Sequence, residues 1–220
     1  MDKYSTMIEL QENTIEDKDW HIECIDNHHD ITILAIHGGG IEPATSELAL
    51  VTAQTNDYNF FTFKGDRSKG NNELHVTSIH YDNDTACQLT QKSKRAISIH
   101  GCTGHESVAY IGGKDDELIE LITSELDKIG VNVQSAPHTM SGKQKENIVN
   151  QTRIKGGVQL ELTKSLRKQF FKDGKIGRKS REDKNNWDDF LYDFANALAT
   201  ALDKVENAVS YTHLRAHETR

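Results

Sequence analysis

Residues 31–36 constrain the fold more than any other segment, because ITILAI is a short, almost wholly apolar run rich in β-branched side chains. Such runs are typical of strands buried on both faces of a parallel or mixed sheet. The run ends abruptly in HGGGIE, residues 37–42. Since glycine tolerates positive φ angles, this turn can direct the imidazole of His37 and the carboxylate of Glu42 towards one point.

Similar short apolar runs alternate with helical patterns along the rest of the chain. Further strands are predicted at residues 74–79, 96–99, 108–111 and 158–162. Helices are predicted at residues 46–53, with Thr45 or Ser46 as the N-cap, at 116–129 with Gly130 as the stop, and from about 186 to 205. The alternation predicts a single α/β domain, with a mostly parallel or mixed sheet flanked by helices.

The composition excludes several classes of protein. The 220 residues fit one domain, and the formal net charge of −8 argues against a nucleic-acid binder. Three cysteines without zinc-finger spacing favour reduced thiols. The first residues lack the apolar core of a signal peptide, and no apolar run approaches the ~20 residues that cross a bilayer. We therefore expect a cytoplasmic protein without nucleic-acid or membrane partners.

Three polar segments lie outside the predicted elements. Residues 137–150 and 172–186 are rich in charge and poor in apolar side chains, and loops of such length often border a functional site. Residues 210–220 do not continue the apolar spacing of the last helix and resemble translated vector sequence. The sequence therefore predicts a folded domain over residues 1–209 and a non-native tail over 210–220.

A second predicted strand ends in the same way as the first, in His100-Gly101. In open α/β sheets ligands bind beyond the carboxyl ends of strands, where both His37 and His100 would lie. Two histidines and one glutamate form a ligand set typical of catalytic zinc, with the fourth position left for water. His80 and His105 are alternatives to His100, which is preferred because its setting repeats that of His37.

A carboxylate within the strand predicted at residues 158–162 is a candidate general base. Strand alternation places Gln159 and Glu161 on one face, opposite three apolar side chains. Partial burial would tune the pKa of Glu161 for proton transfer. Arg153 and Arg167 flank this strand, and either guanidinium could bind a substrate carboxylate in bidentate fashion, or could equally be a surface charge.

Three motifs together resemble the phage-type poly-γ-glutamate hydrolase family. They are HGGGIEP at residues 37–43, SIHG at 98–101 and GVQLEL at 157–162, in that order along the chain. The resemblance implies a zinc-carboxypeptidase-like α/β fold and hydrolysis of γ-glutamyl amide bonds. By position it implies zinc on His37, Glu42 and His100, with Glu161 as the catalytic carboxylate. One departure is Ala44, where glycine is expected in the family's turn.

These observations predict a zinc-dependent hydrolase that acts on an anionic polymer or acidic amide. Arg153, Arg167 and His80 are the predicted substrate contacts. Two alternatives remain open: a zinc-dependent deacylase of small N-acyl amino acids, and a non-catalytic domain with a structural metal. Structural zinc normally has four protein ligands, whereas the sequence supports three.

Overall fold

The computed structural model describes the backbone of residues 2–217 and the side chains of residues 2–208. Within these residues a mixed sheet forms the central layer. Its strands are β1 (Trp20–Ile25), β2 (Ile31–Gly39), β3 (Asn59–Gly65), β4 (Arg95–Cys102), β5 (Val108–Gly113), β6 (Asn132–Ser135) and β7 (Val158–Thr163). The order across the sheet is β1-β3-β2-β4-β7-β5-β6.

Parallel pairing dominates the centre of the sheet. Strand β2 is parallel to both β3 and β4, and β4 is parallel to β7. Antiparallel pairing occurs between β1 and β3 and between β5 and β7. The predicted mixed sheet is confirmed. Because β2, β4 and β7 run the same way, their carboxyl ends meet at one edge.

Helices cover both faces of the sheet. They are α1 (Met7–Glu12), α2 (Thr45–Thr55), α3 (Asp84–Lys92), α4 (Asp116–Lys128), α5 (Lys164–Lys168), α6 (Arg178–Glu182) and α7 (Asp189–His217). Ile33 and Ala35 of β2 pack in one core with α2, α4 and α7. Leu34 and Ile36 point to the opposite face, into a second core with α1 and α3. The nine residues of β2 are all buried, as the apolar run predicts.

One predicted strand is wrong. Residues 74–79 form no strand; instead, 3₁₀ turns occupy Asn71–Leu74 and Ser78–His80. Leu74 and Val76 are fully buried in the second core, so two apolar side chains anchor an irregular loop and imitate strand alternation. Strands β1, β3 and β6 were not predicted. Of these, β6 is a short edge strand without a buried residue.

The start of α2 also differs from the prediction. The N-cap is Ala44 in the left-handed conformation (φ 86°), without a side-chain cap, so neither Thr45 nor Ser46 is the N-cap. This is the position where the sequence motif calls for glycine, and the positive φ explains why.

The last helix begins at Asp189 and continues to His217, past the predicted end near residue 205. It thus enters the segment predicted as a non-native tail. Residues 218–220 of that segment lie outside the described residues, and the assignment of 210–220 as non-native stays a prediction. No helix among the residues described is long and apolar enough to cross a bilayer.

Candidate metal centre

Three side chains converge at the carboxyl edge of β2 and β4. His37 lies near the end of β2, His100 lies in β4, and Glu42 follows β2 in the glycine-rich turn. The two Nδ1 atoms are 3.1 Å apart. Glu42 Oε1 is 3.3 Å from Nδ1 of His37, and Oε2 is 3.7 Å from Nδ1 of His100. One ligand atom from each residue fits within a 4.8 Å span, so a single ion can contact all three.

The glycine-rich turn is shaped by close contact with β3. Gly39 has a φ of 64°, and a Cβ there would lie 2.6 Å from the carbonyl oxygen of Gly65. Gly40 donates its N–H to the same oxygen at 2.8 Å, and Glu42 donates its N–H to His37 O at 2.8 Å. The backbone therefore folds back at this turn and brings the carboxylate of Glu42 next to the His37 ring.

Hydrogen bonds fix which ring nitrogens face the centre. His37 Nε2 lies 2.8 Å from the carbonyl oxygen of Val76. Because a carbonyl can only accept, Nε2 carries the hydrogen, and neutral His37 presents the lone pair of Nδ1. His100 Nε2 lies 2.8 Å from the Ser98 hydroxyl, which leaves its Nδ1 facing the centre as well. Metal-binding histidines in proteins are typically held in this way through their second nitrogen.

The charges at the centre suit a divalent cation. Burial alone would raise the pKa of Glu42, but the nearby His37 and a hydrogen bond from Gly101 N–H outweigh it and lower the pKa to about 2. Burial lowers the pKa of His100 to about 3, so this ring is neutral. Burial also opposes the charge on His37, yet the carboxylate of Glu42 gives a net rise in its pKa. The ionised carboxylate of Glu42 and the Nδ1 lone pair of His100 thus face one point. Zinc binding there would displace the Nδ1 proton that Glu42 favours on His37.

Glu161 lies beside this group on β7. Its register partner on β4 is His100. Gln159 donates Nε2–H to Glu161 Oε1 at 3.0 Å, and Asn147 donates Nδ2–H to Gln159 Oε1 at 2.8 Å. Burial, and then the negative charge of Glu42, raise the pKa of Glu161 to about 8. This carboxyl group therefore holds a proton near neutral pH in the metal-free protein. A bound dication would favour its ionised form, which can accept a proton as a general base and then return it as an acid.

A cavity of about 440 Å³ opens over these side chains. Further walls come from His75, residues 77–79 and five residues of the segment 139–147. The polar segment 137–150 thus borders the cavity, as the sequence predicts. Among the described residues that line the cavity there is no lysine or arginine.

None of the three predicted substrate contacts lines the cavity. Arg167 is 5 % exposed and donates to three backbone carbonyls, of Leu162, Pro43 and Cys102. Its guanidinium is not among the groups that line the cavity. Nε, Nη1 and Nη2 each donate to backbone within the protein, and a contact between Arg167 and a substrate carboxylate stays a prediction.

Arg153 and His80 are also outside the cavity. Arg153 is half exposed and pairs with Asp30 at 2.7 Å. Asp30 precedes the first residue of β2, so the pair lies about 20 Å along the strand from His37, at the opposite edge of the sheet. His80 is exposed and lines a separate, smaller depression. The structure therefore does not bring these two side chains to the centre.

His75 belongs to the site, although the sequence did not point to it. Its ring lies on that of His37, with 3.9 Å between centroids. Nδ1 is 2.8 Å from Oδ1 of Asp2, which fixes the orientation of the ring, and Nε2 is 4.0 Å from Glu42 Oε1. No local pattern marks His75, because it lies in the irregular loop wrongly predicted as a strand.

Comparison with known proteins places this geometry in a family. The family model for poly-gamma-glutamate hydrolase matches residues 4–197. A solved structure of a bacteriophage poly-gamma-glutamate hydrolase superposes with a TM-score of 0.91 at 28 % identity, covering 94 % of this chain and 100 % of that one. A zinc-free apo structure of YndL superposes with a TM-score of 0.86 at 29 % identity, covering 92 % and 98 %. The predicted zinc-carboxypeptidase-like fold is confirmed by these matches.

Curated relatives come from Bacillus subtilis (strain 168). The SPbeta prophage-derived UPF0714 protein YoqZ is 36 % identical over 172 residues, which cover 77 % of this chain and 62 % of YoqZ. The UPF0714 protein YndL is 30 % identical over 199 residues, or 90 % of this chain and 76 % of YndL. This chain thus spans less than two thirds of YoqZ and about three quarters of YndL. From the family match and these relatives, the chain belongs to the poly-gamma-glutamate hydrolase family.

Proposed function

We propose that this protein is a zinc-dependent hydrolase that cleaves γ-glutamyl amide bonds of poly-γ-glutamate, and that residues 1–209 carry the activity. The observation that carries the proposal is the convergence of His37, Glu42 and His100 beside the buried carboxyl group of Glu161. Membership of the poly-gamma-glutamate hydrolase family supports the substrate class.

The proposed metal ligands are His37 Nδ1, His100 Nδ1 and the Glu42 carboxylate. When bound, Zn²⁺ supplies Lewis-acid polarisation of the scissile carbonyl and lowers the pKa of water to about 7. Val76 O and the Ser98 hydroxyl hold the two rings through their Nε2 atoms. The support for zinc comes from this donor set, since neutral imidazole and carboxylate are its usual ligands.

Glu161 is the proposed proton carrier. Gln159 holds Oε1 of Glu161, whereas Oε2 accepts no hydrogen bond within the described part of the chain. Oε2 would take a proton from the attacking water as the new C–O bond forms. The same atom would return that proton to the leaving nitrogen as the C–N bond breaks, so the carboxylate is regenerated.

Hydroxyl and amide groups are the proposed contacts of the polymer. The cavity offers Thr77, Ser78, Thr139 and Gln144 as hydrogen-bonding side chains, without a lysine or arginine among its described lining residues. An anionic substrate would therefore be attracted mainly by the metal ion, which is the largest positive charge in such a site.

The decisive experiment is a depolymerisation assay with purified protein, with and without a chelator. We expect zinc to restore the shortening of poly-γ-glutamate that the chelator abolishes. His37→Ala and His100→Ala should lose zinc, and full zinc retention in both variants would refute the ligand assignment. Glu161→Gln should keep zinc but lose turnover by about 10²- to 10⁴-fold. If only small N-acyl amino acids are cleaved, the protein is a deacylase instead.

A further inference from the structure

Arg167 is a buried cation that contacts backbone alone. Its side chain is 5 % exposed. Nε donates to Leu162 O at 3.0 Å, Nη1 to Pro43 O at 2.6 Å and Nη2 to Cys102 O at 3.0 Å. Among the described residues it forms no ion pair within 4.0 Å. Its desolvation is offset by these carbonyls and by the more distant negative charges of Glu42 and Glu161. Burying a charge is costly, so the three carbonyls that Arg167 binds indicate which parts of the backbone it holds in place.

Two of the three carbonyls adjoin proposed site residues. Leu162 immediately follows Glu161 in β7, and Pro43 immediately follows Glu42 in the turn after β2. The separation in sequence between Arg167 and Pro43 is 124 residues. One guanidinium thus joins the backbone that carries the proposed base to the backbone that carries the proposed carboxylate ligand.

The third carbonyl belongs to the strand that carries the second imidazole. Cys102 is two residues beyond His100 in β4, with Gly101 between them. Gly101 donates its N–H to Glu42 Oε2 at 2.8 Å. A Cβ at Gly101 would lie 2.5 Å from the Cζ atom of Arg167, so only glycine lets the guanidinium reach this position.

The planar shape of the guanidinium explains why arginine is required at position 167. A guanidinium presents its N–H donors in a rigid planar fork and can reach three acceptors in different directions at once. A lysine ammonium is a point charge on a flexible stem and cannot span the same three carbonyls in one plane. Because Arg167 is not among the cavity-lining residues, these bonds act on the scaffold of the site and not on a substrate.

We propose that Arg167 is a positioning residue that holds the carboxyl ends of β4 and β7 and the turn after β2 in register, so that the three metal ligands and Glu161 keep their mutual geometry. The inference rests on the proposed function, because zinc is the ion it invokes. Its readout is the affinity for zinc, which is measured without any polymer substrate.

The test compares Arg167→Lys and Arg167→Met with a matched control at Arg181. Arg181 is also 5 % exposed, donates Nε–H to Ile176 O at 3.0 Å and pairs with Glu47 at 2.9 Å. It lines a different depression and binds none of the three carbonyls that Arg167 holds. The zinc Kd is measured by competition with a chromophoric chelator, and the unfolding temperature is recorded for each protein.

We expect both Arg167 variants to bind zinc about 10- to 100-fold more weakly, the range typical of lost outer-shell support. Arg181→Met should lower the unfolding temperature while zinc affinity stays at the wild-type value. Gly101→Ala, which displaces the guanidinium without removing it, should reproduce the weaker zinc binding. It serves as the second variant if Arg167→Met does not fold.

Wild-type zinc affinity in both folded Arg167 variants would overturn the inference. So would a rise in KM for the polymer at saturating zinc with unchanged zinc affinity, because that result would make Arg167 a substrate contact. A wild-type protein that binds zinc but does not shorten the polymer would refute the proposed function alone and leave this inference standing.

Discussion

The buried carboxyl group of Glu161 should make the stability of the metal-free protein depend on pH. Burial and the charge of Glu42 raise its pKa from 4.5 to about 8 in the folded state. Between these values the folded protein holds a proton that the unfolded chain has lost. The stabilisation is therefore fully present below the unfolded pKa and is lost as the pH rises through the folded pKa.

The size of the effect follows from the pKa difference. Where only the folded state holds the proton, stability falls by ~1.4 kcal/mol for each pH unit. This condition holds over most of the range between about pH 5 and about pH 8. The free energy of unfolding of the wild type should thus fall by about 3.5 kcal/mol relative to Glu161→Gln, whose side chain cannot titrate; the value is below the full product because each titration is partial at one end of the range. The charge of Glu161 also raises the pKa of His37, so the comparison with Glu161→Gln reports these two coupled groups together.

Urea unfolding of the two proteins in chelator, at several pH values, measures this difference. Trp20 and Trp187 are 3 % and 7 % exposed, so their fluorescence reports the loss of the core. Saturating zinc should reduce the pH dependence, because a nearby dication favours the ionised carboxylate. Parallel pH profiles for wild type and Glu161→Gln without zinc would show that Glu161 is not a buried acid with a raised pKa.

Three further substitutions, one of them with a matched control, test the surroundings of the centre. Ser98→Ala removes the hydroxyl bound to the second imidazole, and calorimetry should give about 10- to 100-fold weaker zinc binding; unchanged binding would contradict this. Gly38→Ala would overlap the hydroxyl of Ser46 and should cost about 1–3 kcal/mol in denaturant unfolding. Gly177→Ala is the control and should not lower the free energy of unfolding in this way, because no atom lies within 4 Å of the new Cβ. His75→Ala should keep one zinc while kcat/KM falls about tenfold, or ~1.4 kcal/mol; loss of the metal would identify His75 as a ligand.

Strand burial is the reason that much of the site could be predicted. Strands β2 and β4 are largely apolar, so their ends are marked by an abrupt change to glycine and polar residues at His37 and His100. In β7, strict alternation separates Glu161 from the core residues Leu160 and Leu162. The pattern of buried apolar residues in the sequence thus predicts both where a strand ends and which face of the sheet a side chain is on.

The contacts that escaped prediction involve backbone acceptors or irregular loops. The carbonyl partners of Arg167 lie up to 124 residues away, and a backbone oxygen has no signature in the sequence. His75 is placed by its contact with the ring of His37, which no local period encodes. Arg153 flanks the right strand, but at the end of the sheet remote from the centre, and a flanking position alone does not reveal which end a side chain reaches.

The parallel pairing of β2, β4 and β7 has a consequence for the order of folding. The two imidazoles are 63 residues apart in sequence, and they meet only after β2 and β4 have paired across an intervening strand and two helices. Non-local pairing of this kind is slow, because loop-closure entropy must be overcome before the contacts form. Zinc therefore cannot nucleate the folding of this chain in the way that it nucleates the folding of a zinc finger. We therefore expect the metal to enter a fold that is already complete, and refolding rates to be independent of zinc concentration.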